Sequence, residues 1–296
     1  FVSEVKDSTA KTRLIPFTFS TEQTYILEFG NQYIRFYKDN GQITSSGSAY
    51  EISSPYTTAQ LFDLKFAQSA DVMYICNENH PVKKLSRTGH TSWSLADVDF
   101  TDGPYLDTNT TSTTITPSAT SGNGITLTAS ASLFVSTDVD RLVRFSNGFA
   151  KITAFTSATQ VSANVLDDFD NTNAVSTWKL GAFSNTTGHP RCVSFFEQRL
   201  VFAGTSQQPQ TMFFSKSGDY ENMASGTNDD DAMVYTIASN QVNAIQAMKA
   251  TRTLIVLTTG GEYAVSSGAA QTAVTPTNII DFVTIASTGN ATDFGD

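Results

Sequence analysis

The sequence is short of charge, cysteine and histidine. Of its 296 residues 16% are charged, and 18 Lys and Arg face 28 Asp and Glu, a formal net charge of −10. That balance argues against a protein that clamps nucleic-acid phosphates, which needs clustered Lys and Arg. Cys76 and Cys192 are too few for a disulfide framework or a thiolate zinc site. Each lies in an apolar run and reads as a buried structural thiol. The three histidines stand beside Pro or Gly (His80-Pro81, Gly89-His90, His189-Pro190) and read as turn residues without metal-ligand spacing. No apolar run reaches the roughly 18 residues that a membrane helix needs. No signal-peptide pattern opens the chain. It starts at Phe1 rather than Met, which reads as a fragment or a processed product.

Apolar and aromatic residues are plentiful, at 40% and 11%, so the chain has the means to fold. Their pattern is that of strands. Tyr25-Ile26-Leu27-Glu28-Phe29 and Tyr33-Ile34-Arg35-Phe36-Tyr37 are aromatic and β-branched runs around the turn Gly30-Asn31-Gln32, and Asp39-Asn40-Gly41 closes the second. Val72–Ile75, Leu200–Ala203 and Leu254–Leu257 have the same character. The best helical stretch, Thr57 to Phe62, is short. The fold class expected is all-β.

Four segments repeat one grammar: a strand, a polar turn, a very apolar strand, a loop and a third strand. They start at Leu14, Leu64, Val193 and Ile245. A step of about 50 residues with several short strands is the signature of a β-propeller blade. The middle step is much longer, which implies an insertion. From Tyr105 to about Trp178 the text is rich in Thr, Ser, Asn and Gly, with strands at Ile125–Thr128, Leu142–Phe145 and Val161–Val165. Gly122-Asn123-Gly124 and Asn147-Gly148 read as its hairpin turns. The expected organisation is propeller blades over 1–104, an inserted small β-sandwich or barrel over 105–179, and further blades over 180–296.

The wording of the repeats carries a resemblance. The stretches are Arg13–Phe17, Phe19-Ser20-Thr21-Glu22-Gln23, Leu27–Gly30, Asp63–Asp71, Lys84–Arg87, Phe195–Leu200, Ser215–Tyr220 and Ile237–Asn243. In this order they resemble the tail nozzle proteins of short-tailed, podovirus-type bacteriophages. That family is also called tail tubular protein B or packaged-DNA stabilisation protein. The resemblance implies a virion structural protein of the phage tail, made in the host cytoplasm, and no enzyme. Its partners would be its own copies in a six-fold ring, a portal or adaptor protein above, and tail fibres or a needle below. DNA would pass through without sequence-specific binding. Family members are usually much longer, so four blade-like repeats ending at Asp296 read as an incomplete set. A mildly acidic lining rich in Ser, Thr and Asn suits a conduit, because it does not hold the backbone.

No catalytic residue or cofactor site is expected. Asp167-Asp168-Phe169-Asp170-Asn171 offers weak calcium candidates, Asp168 and Asp170. It lacks the Gly and the distal Glu of an EF-hand loop, and a solvated acidic turn is favoured. Asp229-Asp230-Asp231 reads as a loop tip, and Arg87, Arg191 and Arg199 as salt-bridge or strand-edge residues. Ser215–Tyr220 faintly resembles a sialidase box at the wrong spacing. The alternative reading is therefore a monomeric propeller that binds or hydrolyses surface glycans. Phe17, Phe66, Tyr74 and Phe195 are expected in the core.

Overall fold

Left-handed residues mark where the hairpins turn. Asp39 and Asn40 (φ 51° and 58°), Ser146 and Asn147 (49° and 61°), and Glu197 and Gln198 (47° and 60°) form two-residue turns with both positions at positive φ. Such turns match the twist of the strands they join. The computed structural model describes residues 2–20, 23–237, 242–267 and 272–285. Thr21-Glu22 and Ala238–Gln241, which belong to two of the stretches quoted above, lie outside the described residues, as does the end of the chain at Asp296.

The chain is nearly all-β. The first sheet takes β1 (Arg13–Thr18), β2 (Thr24–Gly30), β3 (Tyr33–Lys38) and β4 (Gly41–Gln42) in that order. The small hairpin β5 (Thr44–Ser45) and β6 (Ser48–Ala49) leads to β7 (Glu51–Ser53), which also pairs with β3. The second sheet is β8 (Lys65–Ser69), β9 (Val72–Asn77), β10 (His80–Gly89) and β11 (Ser92–Asp97). Next come β12 (Ile115–Pro117), β13 (Ile125–Ala129), β14 (Leu142–Phe145), β15 (Gly148–Ser157), β16 (Gln160–Asp167) and β17 (Lys179–Leu180). They form one sheet in the order β12-β13-β16-β15-β14-β17. The third sheet is β18 (Cys192–Phe196), β19 (Arg199–Ala203), β20 (Thr211–Phe214) and β21 (Met233–Thr236). The fourth is β22 (Ile245–Ala250), β23 (Leu254–Thr258), β24 (Glu262–Ser266) and β25 (Ile280–Ile285).

The four meander sheets pack in chain order. Phe17, Leu27, Phe29 and Phe36 of the first meet Met73, Ile75, Leu85 and Trp93 of the second. Trp93 is the centre of that layer, stacked on Phe36 at 4.5 Å and met edge-on by Phe17 at 4.8 Å and Tyr25 at 5.2 Å. Tyr74, Cys76 and Val82 of the second sheet meet Val193, Leu200, Phe202 and Phe213 of the third. Val201, Met212 and Phe214 of the third meet Leu254, Val256 and Val265 of the fourth. Period-two alternation thus sends Met73 and Ile75 one way and Tyr74 and Cys76 the other. β9 and β19 read as unbroken apolar runs because both of their faces are covered.

The six-stranded sheet encloses its own core, including Ile115, Leu127, Val143, Ile152, Val161 and Trp178. It is one curled sheet, not two facing ones. Its edge strand β12 is met by the segment that leads from β16 to β17, where Ile115 and Val175 exchange two backbone hydrogen bonds of 2.9 and 3.0 Å.

Three expectations change. Thr57 to Phe62 forms two successive turns instead of a helix, closed by Gln60 N–H to Thr57 C=O and Asp63 N–H to Gln60 C=O. Six residues supply too few bonds to offset helix nucleation. Gly122–Gly124 does join a hairpin, β12 to β13, but through a wide loop, and the tight turn of the other hairpin is Ser146-Asn147 rather than Asn147-Gly148. Phe66 and Phe195 are half-buried, whereas Phe17 and Tyr74 are buried.

Candidate functional site

The charged side chains that matter lie at the seams. Between the second and third sheets, Glu221 accepts from the Tyr74 hydroxyl at 2.9 Å and from Lys84 Nζ at 2.7 and 2.9 Å. Burial first, and then Glu221, push the Tyr74 hydroxyl above its ordinary value. Phe195 lies edge-on to Tyr74 and Tyr220 over the same seam.

The inserted sheet leaves the stack through a neck of two antiparallel segments. Leu106 N–H donates to Leu180 C=O and Ala182 N–H to Pro104 C=O, both at 2.8 Å, and Tyr105 bridges to Gly181. One flank of the neck is ionic. Asp102 is tied to the third sheet, its carbonyl accepting from Met223 N–H at 2.8 Å. Its carboxylate accepts from Arg144 Nη1 of β14 at 2.5 Å and from the Tyr105 hydroxyl at 2.6 Å. Lys151 of β15 reaches Asp99 at 3.8 Å. The other flank is a buried knot. Asp138 Oδ1 accepts from Arg141 Nη1 at 2.8 Å and from the Thr186 hydroxyl at 2.6 Å, and Arg141 Nε donates to Gly181 C=O. Burial pulls the Arg141 guanidinium below its ordinary value despite Asp138.

Neither a family model nor a curated protein matches this chain.

The residues singled out in the sequence do not converge. Asp168 and Asp170 are exposed on either side of buried Phe169, which stacks on Phe145 at 4.2 Å. Asp170 accepts from Asn147 Nδ2 at 2.6 Å. Among the described residues no three His, Cys, Asp or Glu side chains gather as a metal site requires. The three histidines are placed apart in role. His80 opens β10 against the Tyr56 ring, His90 meets the Tyr25 hydroxyl at 2.7 Å, and His189 is buried with Nε2 3.0 Å from Asn185 Oδ1. His80 and His189 are thus packed, not free turn residues. Cys76 and Cys192 are buried free thiols, and burial pushes Cys192 up to about 12.

Asp229 and Asp230 of the triplet are exposed, as a loop tip should be, but Asp231 is not. The triplet's backbone wraps the Arg199 guanidinium, which donates to the carbonyls of Asp229 (2.5 Å), Asp231 (2.7 Å) and Ser215 (2.7 Å). Asp231 is itself buried and pairs with Lys216 at 2.9 Å. The Ser215–Tyr220 stretch is a turn in which Ser215 Oγ accepts from Leu200 N–H at 2.9 Å.

Sequence reasoning missed the outer face of the first sheet. Glu28 is fully buried there, accepting from the Tyr33 hydroxyl at 2.6 Å, the Tyr37 hydroxyl and the Lys6 amide at 3.1 Å. Beside it a groove of 430 Å³ runs between the segment bearing Val2 and Val5 and the side chains of Leu14 and Ile26. Tyr33 and Tyr37 flanking Glu28 across one turn were the only signal. No helix among the described residues is long and apolar enough to cross a membrane.

Proposed function

We propose that this chain is a structural protein of a short-tailed phage virion, a tail nozzle that retains packaged DNA and lets it exit on infection. The observation that carries the reading is the repetition. Four meander sheets share one strand order and pack in chain order, with β18 against both β8 and β22. The first strands β8, β18 and β22, in contact with one another in turn, support a β-propeller with the six-stranded sheet as its insertion. The wording of the repeats, quoted above, gives the family direction.

In this reading the domains are blades over 1–104 and 180–296 and the inserted domain over 105–179. Six copies form a ring below a portal or adaptor and above fibres or a needle. The role is mechanical and uses no cofactor. A net charge of −10 keeps the lining from holding the DNA backbone, so the polymer slides.

Electron microscopy and native mass of the protein mixed with its portal–adaptor complex test this. A six-fold ring capping the complex, with an axial channel, is the expected result. A monomer that ignores the complex overturns it and puts the glycan-binding reading first.

A further inference from the structure

The two flanks of the neck differ in kind. On one side Arg141 and Asp138 are 4% and 1% exposed, and the Thr186 hydroxyl completes the knot. Thr186 and Thr187 are in turn held to the loop after β19, their carbonyls accepting from Gln207 and Ser206. On the other side Arg144 and Asp102 are 34% and 13% exposed, and Lys151 and Asp99 are 37% and 90% exposed. Water reaches Arg144, Lys151 and Asp99, touches Asp102 at its edge, and hardly reaches Arg141 and Asp138. Ion pairs that water reaches are weakened by salt. Breaking a buried one strands a charge.

Between the flanks lies a small cleft of 70 Å³, walled by Phe100, Pro104, Leu142 and Phe183. At its base the neck is anchored in the core between the second and third sheets by Ala182, Phe100 and Phe183, while the strand pair itself is joined by a few backbone bonds. Arg144 also lies over the rings of Tyr105 and Phe149, at 5.8 and 5.7 Å. Those rings keep the cation in a favourable place when Asp102 is lost.

We propose that the inserted sheet is a salt-latched arm. It swings about the neck when Arg144–Asp102 and Lys151–Asp99 open, while the Asp138–Arg141–Thr186 knot stays closed as the pivot. The latch makes the arm's position sensitive to ionic strength and to any polyanion or partner that competes for Arg144 and Lys151. This inference stands whether or not the protein is a nozzle.

The test uses single-molecule energy transfer between dyes at Ser121→Cys on the inserted sheet and Thr57→Cys on the stack. Both positions are exposed, and the native thiols are buried, so labelling is selective. Low salt should give one narrow population. At about 1 M salt, where the screening length is about 3 Å, a second population should grow. Arg144→Gln with Lys151→Gln should show that population already at low salt, with unchanged near-ultraviolet circular dichroism. One narrow, unmoved population for both proteins at both salts overturns the proposal, because the arm is then rigid. A broad distribution for the unmodified latch at low salt overturns it too, because nothing then holds the arm. The salt series needs no latch substitution, so it stands even if the double variant misfolds.

Discussion

Gln68 of β8 reads the backbone of Thr18 in β1 as if it were another strand. Its Oε1 accepts from Thr18 N–H at 3.1 Å and its Nε2 donates to Thr18 C=O at 2.9 Å. The amide also donates to Ala70 C=O at 2.9 Å, so it is fixed at both ends. One side chain thus ties the first strand of one sheet to the first strand of the next. Gln68→Ala should lower stability by about 0.5–1 kcal/mol, since water can reach Thr18 in its place. Urea denaturation checks this. Gln68→Glu should cost at least as much, because it loses the donor.

Arg199 has a larger effect. Its guanidinium is nearly enclosed and satisfies the carbonyls of Ser215, Asp229 and Asp231. Burial holds it below its ordinary value, with the nearby acidic groups pulling the other way. Arg199→Ala should destabilise by about 2–3 kcal/mol, because two buried carbonyls and a third, part-buried one lose their donor. Arg199→Lys should recover only part of it, as one ammonium cannot span the same fork. The shift in the urea midpoint of each variant measures both.

His189 gives the protein a pH dependence. Burial, with His80 adding to it, lowers its value from 6.5 to about 4. The unfolded chain therefore takes up this proton first. The contribution is fully present above pH 6.5 and is lost as pH falls towards about 4, by up to about 3 kcal/mol. His189→Gln should flatten that part of the stability curve. Equal slopes for the two proteins between pH 7 and 4 would contradict the assignment.

Core substitutions should sort by burial rather than by strand. Phe202 is fully buried between the second and third sheets, so Phe202→Ala should cost about 3–5 kcal/mol. Phe195, seven positions earlier in the same hairpin, is half-buried between Tyr74 and Tyr220. Phe195→Ala should cost about 1–2 kcal/mol. Thermal or urea unfolding of the pair separates them.

What was legible in the sequence was local. The runs at Tyr25–Phe29, Val72–Ile75, Leu200–Ala203 and Leu254–Leu257 all lie in strands, and the polar turns between first and second strands of the second, third and fourth sheets stand where read. Alternation and turn chemistry act between neighbours, so a single chain displays them. The half-buried state of Phe195 and the burial of Glu28 were not legible, because they depend on which face another segment covers. Glu28 sits on the outward side of β2, where alternation places a solvated carboxylate, and Tyr33, Tyr37 and Lys6 enclose it.

By itself, then, the amino-acid sequence determined an all-β chain with four repeated units and a strand-bearing insertion, because hydrophobic period and turn residues are local signals. Only the tertiary structure decided that Asp138 and Arg141 are sealed while Asp102 and Arg144 stay within reach of water. It also decided that the Asp229–Asp231 backbone folds round Arg199. These are long-range desolvation effects, set by which surfaces meet once the sheets pack, and no spacing along the chain encodes them in readable form.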